Sequence, residues 1–315
     1  MKFAGNGHDI NVVMRVFGAS FGKKKNPGKA RPKPTTILAW PTSIFVCDPS
    51  RFCLGNSCCS HPSTKPNVSV GDFLRISSLK NEPPALIWQR DGDLNLTDVK
   101  VRDRRNLIIS LSLLHDPCHF LDDMNRCEVY LMRPLTCAMF PFNTFKYHPE
   151  ELKDYRNTFA CLQNVRTSSR QLKFLEGLRR IIIDETKADM AFFWGGKFPV
   201  IDVPTTLDEF SLYAREAISI STLKYRRDPN DSLNVERGRR AAHAAAEIGK
   251  MLIDGSLYSS GMGSDKYLDI LRPILFCIHQ DMIRAAFAKL SREALDHYNK
   301  ITQNWVRLSE EFQDV

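Results

Sequence analysis

Apolar residues near the C-terminus recur at steps of three and four. Leu295, Tyr298, Ile301, Trp305, Leu308 and Phe312 fall on one face of a helix. Upstream, the Ala-rich stretch "DPNDSLNVERGRRAAHAAAEIGKMLIDG" opens at Asp228-Pro229 and closes at Gly255, which reads as a second helix with a glycine cap. Thr206, followed three residues later by Glu209, is a capping-box pattern that starts a third. Between Tyr267 and Leu290 the helical period carries Pro273, which predicts a kink or break. Ahead of residue 166 the period is lost. Short apolar runs ("TSIFVC", "ALIW", "NLIISLSLL") sit among Pro, Cys, His and Asp. The pattern divides the chain into an N-terminal segment and basic arm (1–36), a cysteine-rich domain (37–165) and a helical domain (166–315). The expected fold is mostly α, its helical C-terminal half packed on an irregular, loop-rich cysteine domain.

With 315 residues, 43% of them hydrophobic and 25% charged, the chain is long enough to bury a real core. No apolar run approaches the length of a bilayer span, so no membrane contact is expected. The N-terminus has no continuous apolar stretch of the secretory kind, which predicts a cytoplasmic protein with reduced thiols. The net charge of +8 is uneven. "KKKNPGKARPKP" holds basic residues from Lys23 to Lys33 and no acid, and its Pro and Gly content argues for an extended arm. Such an arm attracts phosphate and would suit nucleic acid; a solvated, solubilising segment is the plainer reading. No aromatic residue is interleaved with the bases, which weakens stacking on single strands.

Cysteine changes the picture most. Of nine cysteines, eight (Cys47, Cys53, Cys58, Cys59, Cys118, Cys127, Cys137 and Cys161) fall within 115 residues. Cys277 stands alone on an apolar helical stretch and reads as a small buried hydrophobe. In a reducing compartment so dense a set favours metal over disulfides. A single zinc site usually takes its ligands as close pairs such as C-x2-C, and this chain has none. Adjacent Cys58 and Cys59 would point to opposite sides of an extended backbone, so they do not easily share one small ion. Separated loops can instead serve a cluster of several irons. The spacing therefore favours an iron–sulfur cluster, or two separate metals, with zinc as the alternative. His61, His115 and His119 flank the thiols as candidate ligands, as donors to them, or as ordinary surface histidines. Arg133, in "RPLTC", could balance thiolate charge or pair with Asp122 or Asp123.

These residues carry a resemblance. "DPCHFLDDMNRCEVYLMRPLTCAMFPF", Asp116 to Phe142, resembles the P-C-x-F-L … C-x-[IV]-Y-x-x-R-P-x-x-C-x-x-F-P-F run of the YkgJ-type cysteine-cluster family, the zinc- or iron-chelating domain named for a CxxCxxCC pattern. "FVCDPSRFCLGNSCCSHP" resembles the CxxCxxCC element with inserted residues, giving C-x5-C-x4-C-C. "VSVGDFLRIS" resembles the segment that commonly follows, and Cys161 would be the eighth cysteine. The resemblance covers roughly residues 45–161. It implies metal chelation by all eight cysteines, with a 4Fe-4S cluster favoured. The family also includes the flagellin lysine N-methylase. The resemblance thus implies, as an alternative, a protein N-methyltransferase with a protein substrate and S-adenosylmethionine as cofactor. A third reading is a zinc-stabilised, nucleic-acid-associated factor that uses the basic arm.

For the methylase the glycine-rich candidates are Gly5–Gly7, Trp194–Phe198 and Gly261–Asp265. None follows a strand and opens a helix, so each reads as a turn. Catalytic residues stay unassigned, because G-x-S-x-G, HExxH and P-loop patterns are absent.

Overall fold

A computed structural model describes residues 59, 66–101, 104–114, 118–123, 127–129, 132–139, 169–197, 199–202, 206–227, 231–254 and 265–311. These residues are mostly helical: eight α-helices, one π-helical turn and a three-stranded sheet. The N-terminal basic arm and residues around Cys47, Cys53, Cys58, His61, His115 and Cys161 lie outside them.

Helix α1 (Val70–Lys80) opens on a reciprocal cap. Ser69 Oγ accepts the Asp72 N–H, and the Asp72 carboxylate accepts the Ser69 N–H, both at 2.9 Å. It ends at Asn81, a left-handed residue (φ 56°) whose N–H returns to the Ser77 carbonyl. Helix α2 (Pro84–Asp91) begins on a proline, where the missing N–H costs nothing. It ends at Gly92. A Cβ there would collide with the Trp88 indole and carbonyl, so only glycine lets the chain turn directly into the sheet.

Strand β1 (Gly92–Val101) pairs antiparallel with β2 (Arg104–Leu113), which pairs with β3 (Val200–Asp202) in the order β1-β2-β3. The sheet was not foreseen in the apolar pattern. The run "NLIISLSLL" becomes its central strand, buried on both faces: Leu107, Ile109, Leu111 and Leu113 on one, Ile108, Ser110 and Ser112 on the other. Two-sided burial erases the alternation that marks a half-exposed strand. Ser112 keeps its hydroxyl satisfied by donating to the Pro66 carbonyl at 2.9 Å.

A short helix, α3 (Leu135–Met139), carries Cys137. The helical half follows. It comprises α4 (Ser169–Ala188) with a π-helical turn (Asp189–Phe193), α5 (Leu207–Arg227), α6 (Ser232–Ile253), α7 (Asp265–Ala288) and α8 (Arg292–Glu311). Helices α5, α6 and α7 pack together, α8 packs on α4, and α7 reaches across to α2 and β1. The Thr206–Glu209 capping box is formed, each N–H donating to the other side chain at 3.2 Å. Of the C-terminal stripe, Tyr298, Ile301 and Trp305 are buried and Leu295 and Leu308 pack against the core; Phe312 lies outside the described residues.

Pro273 sits inside α7 without ending it. Ile270, Leu271, Ile274 and Leu275 on either side are buried, and that packing outweighs the lost backbone bond. Trp88 of α2 joins Phe73 of α1, Phe276 and Phe287 of α7 and Phe193 of the π-turn in one aromatic core, with ring centroids 4.8–6.3 Å apart. Among the described residues no helix is long and apolar enough to cross a membrane.

Candidate metal centre

The short helix α3 is the local device that presents Cys137. Pro134 precedes it, and the Pro134 carbonyl accepts the Ala138 N–H at 2.9 Å, closing its single turn. At its N-terminus the Leu135 N–H has no carbonyl within the helix to meet and donates to the Asp72 carboxylate at 3.3 Å. The Thr136 hydroxyl donates to the Asn67 carbonyl. Cys137 is thereby tied to the residues that begin α1.

Cys118 and Cys127 are brought together by a small antiparallel bridge between Leu121 and Cys127. The Leu121 N–H returns to the Cys118 carbonyl at 3.1 Å, and the Glu128 N–H donates to the Phe120 carbonyl at 2.8 Å. Cys59, from the front group of cysteines, joins them through its carbonyl, which accepts the Cys118 N–H at 2.9 Å. A separation of about sixty residues along the sequence is closed by one backbone hydrogen bond.

The surroundings of Cys118 and Cys137 disfavour the thiolate. Burial pushes the Cys118 thiol up to about 12, and charge on Cys59, Cys127 or Asp91 pushes the same way. Burial also raises Cys137 well above the ordinary thiol range, and charge on Cys59, Cys118 or Cys127 raises it further. Arg133 opposes this at Cys137, its positive charge favouring the thiolate. None of the four is in a disulfide. The thiols of Cys118 and Cys137, held in this way, stay protonated until a cation replaces the protons. Soft divalent or iron cations do that to thiolate sets.

The donor chemistry fits a thiophilic metal. Among the described residues, however, no three His, Cys, Asp or Glu side chains already stand in an ion-binding arrangement. The thiols are gathered but not closed around a point. Cys47, Cys53, Cys58 and Cys161 fall outside the described residues, as do His61 and His115.

His119 is partly exposed and its Nδ1 lies 3.4 Å from the Asp91 carboxylate. Asp91 is buried at the end of α2 and also takes Arg90. Burial works to raise the Asp91 carboxyl, but His119 and Arg90 more than offset it and hold it below its usual value. The ring beside Cys118 is thus oriented by a carboxylate, an arrangement seen around metal-bound histidines. Periodicity does not mark Asp91, which explains why sequence reasoning missed it. Asp72 was missed as well, although "SVGD" (Ser69 to Asp72) has the three-residue spacing of a capping box.

Cys277 is placed elsewhere, between α5, α6 and α7, with Ser221 Oγ at 3.7 Å and the Arg237 carbonyl at 3.6 Å. It is buried, and burial raises its thiol. Gly195 and Gly196 of the "WGGKF" candidate have φ of 67° and 92° and form the turn that ends the π-helix. The Gly196 N–H donates to the Met190 carbonyl there.

Residues 46–161 match the family model CxxCxxCC, described as "Putative zinc- or iron-chelating domain". No curated protein and no solved structure matches the chain.

Proposed function

We propose that residues 46–161, a domain of the CxxCxxCC zinc- or iron-chelating family, hold an iron–sulfur cluster in this chain, with the helical half as the scaffold that supports it. The observation that carries this reading is that Cys59 is tied by a backbone hydrogen bond to Cys118, whose loop is bridged to Cys127, so donors from both ends of the cysteine window are joined. A set drawn from separated loops, with Cys58 next to Cys59, suits several irons better than one zinc. The full donor set in this reading is Cys47, Cys53, Cys58, Cys59, Cys118, Cys127, Cys137 and Cys161, which allows two four-thiolate sites. When bound, the metal supplies stability to a segment whose thiols otherwise repel ionisation. Arg133 lowers the cost of the negative charge those thiolates bring, and His119 stands at the rim beside Cys118.

Anaerobic purification with iron, zinc and sulfide analysis and a visible spectrum tests this directly. Iron and sulfide in the wild-type chain, each reduced by Cys59→Ser, Cys118→Ser, Cys127→Ser or Cys137→Ser and untouched by Cys277→Ser, is the expected result. Full zinc without iron or sulfide would sink the cluster and leave a zinc-chelating domain. Loss of metal on changing Cys277 would show that the donor set is drawn wrongly. The methylase alternative is separated by calorimetry of S-adenosylmethionine on metal-loaded protein, and the nucleic-acid alternative by salt-dependent binding that disappears when residues 23–34 are removed.

A further inference from the structure

The segment "VSVGDFLRIS" lies outside the donor set, yet the fold brings it against "RPLTC". Asp72 is the point of contact. Its side chain is wholly buried and makes three directional bonds at once. One oxygen accepts the Leu135 N–H at 3.3 Å and the Arg75 guanidinium; the other accepts the Ser69 N–H at 2.9 Å. Arg75 is buried alongside. Three residues before α1, the Asn67 carbonyl accepts the Thr136 hydroxyl.

The helix that carries Cys137 has only five residues, too short to hold itself together in water. Its placement must come from outside. Both of its polar anchors, through Leu135 and Thr136, run to the residues that open α1, and Cys137 follows directly. Asp72 in turn cannot swing away, because Ser69 and Arg75 fix its two oxygens. We infer that Asp72 is a positioning residue of the metal centre: it fixes the helix that presents Cys137, with Thr136 as a second and weaker anchor. The inference rests on the metal reading above, in which Cys137 is a donor.

The test compares three variants of the full chain. Asp72→Asn keeps the size of the side chain but removes the charge that binds Arg75 and replaces one acceptor with a donor. Thr136→Val removes only the second anchor and is mild enough to fold if Asp72→Asn is not. Tyr298→Phe is the control. It deletes a buried 2.6 Å hydrogen bond to Asp189, which accepts the Val70 N–H at the start of the same α1, without touching α3. Metal retention is measured by competition with a chelator. In parallel, metal-free protein is alkylated with iodoacetamide and the rate at Cys137 is compared with that at Cys277.

Asp72→Asn should weaken metal retention by about 10–100-fold, the range found when a residue holding a ligand is changed. Thr136→Val should weaken it several-fold (roughly the low end of that range). Both should speed alkylation of Cys137 but not of Cys277, and Tyr298→Phe should do neither. Equal retention and equal Cys137 reactivity in wild type and both anchor variants would overturn the inference. So would a Tyr298→Phe loss as large as theirs, since the effect would then be general instability. If the wild-type chain retains no metal, the metal reading fails, and the Cys137 rates alone decide whether Asp72 positions that helix.

Discussion

Asp189 is wholly enclosed, and burial pushes its carboxyl up to about 8, although the Tyr298 hydroxyl and the Val70 N–H both work to lower it. At neutral pH it is largely a neutral acid in the core. A carboxyl whose folded value exceeds its unfolded one binds its proton more tightly when folded. Its stabilisation is therefore present at low pH and is lost as pH rises from about 4 to about 8, at up to about 1.4 kcal/mol per pH unit. Asp189→Asn can keep both hydrogen bonds without a charge to bury. Urea unfolding at several pH values should show the wild-type stability falling relative to the variant across that window. A constant difference between the two would mean that Asp189 does not titrate there. At this scale the cysteine spacing was legible as a candidate donor set, whereas the burial of Asp72, Asp91 and Asp189 was not. Nothing in a sequence distinguishes a buried carboxylate from a solvated one until its partners are known.

At the scale of elements, the end of α2 shows how the two parts of the chain are joined. Arg237, projecting from α6, donates to the carbonyls of Gln89, Arg90 and Gly92, the last of these at 3.0 Å. Its guanidinium also lies over the Phe276 ring, 4.3 Å from the centroid. The final carbonyls of a helix need partners, and here a side chain from more than a hundred residues away supplies them. Arg237→Met should cost about 3 kcal/mol in denaturant unfolding, the worth of one or two charge-assisted bonds net of the methionine's packing. Arg237→Lys should recover only part of that, because an ammonium cannot fork across three carbonyls.

Helix α8 is the other test at this scale. Tyr298, Ile301 and Trp305 bury its inner face, so removing residues 293–315 should leave the protein insoluble or markedly less stable. A truncated chain that melts like the full one would show that the face is dispensable. The α8 stripe and the Thr206–Glu209 cap were legible because both are local patterns. The β1–β2 hairpin was not, because burying both faces of β2 removed its period.

Among the described residues nearly all the buried apolar side chains form one core, from Val68 of the cysteine-bearing region to Trp305 of α8. The thiols lie at one side of that core: Cys118 and Cys127 are half-buried against it and Cys137 sits on a single-turn helix. Removing metal should therefore lower the melting temperature and open residues 118–139 to hydrogen exchange. The far-ultraviolet circular dichroism of the helices should be largely kept. Unchanged exchange in that segment after chelation would argue that its shape does not depend on metal.

The sequence by itself determined that the chain is largely helical beyond residue 166 and that eight of its nine cysteines are clustered ahead of it. It also carries, in the motif from Asp116 to Phe142, a resemblance to a zinc- or iron-chelating family whose model residues 46–161 match. Those features are written in spacing: an amphipathic period, a capping pair, cysteines at set intervals. Only the tertiary structure decided that Cys59 is hydrogen-bonded to Cys118, that "VSVGDFLRIS" anchors the Cys137 helix, and that Asp189 is enclosed in the core. Each of these depends on contacts between residues about sixty or more apart. Their energy comes from burial and from charges brought together out of water, and a reading of local pattern has no access to either.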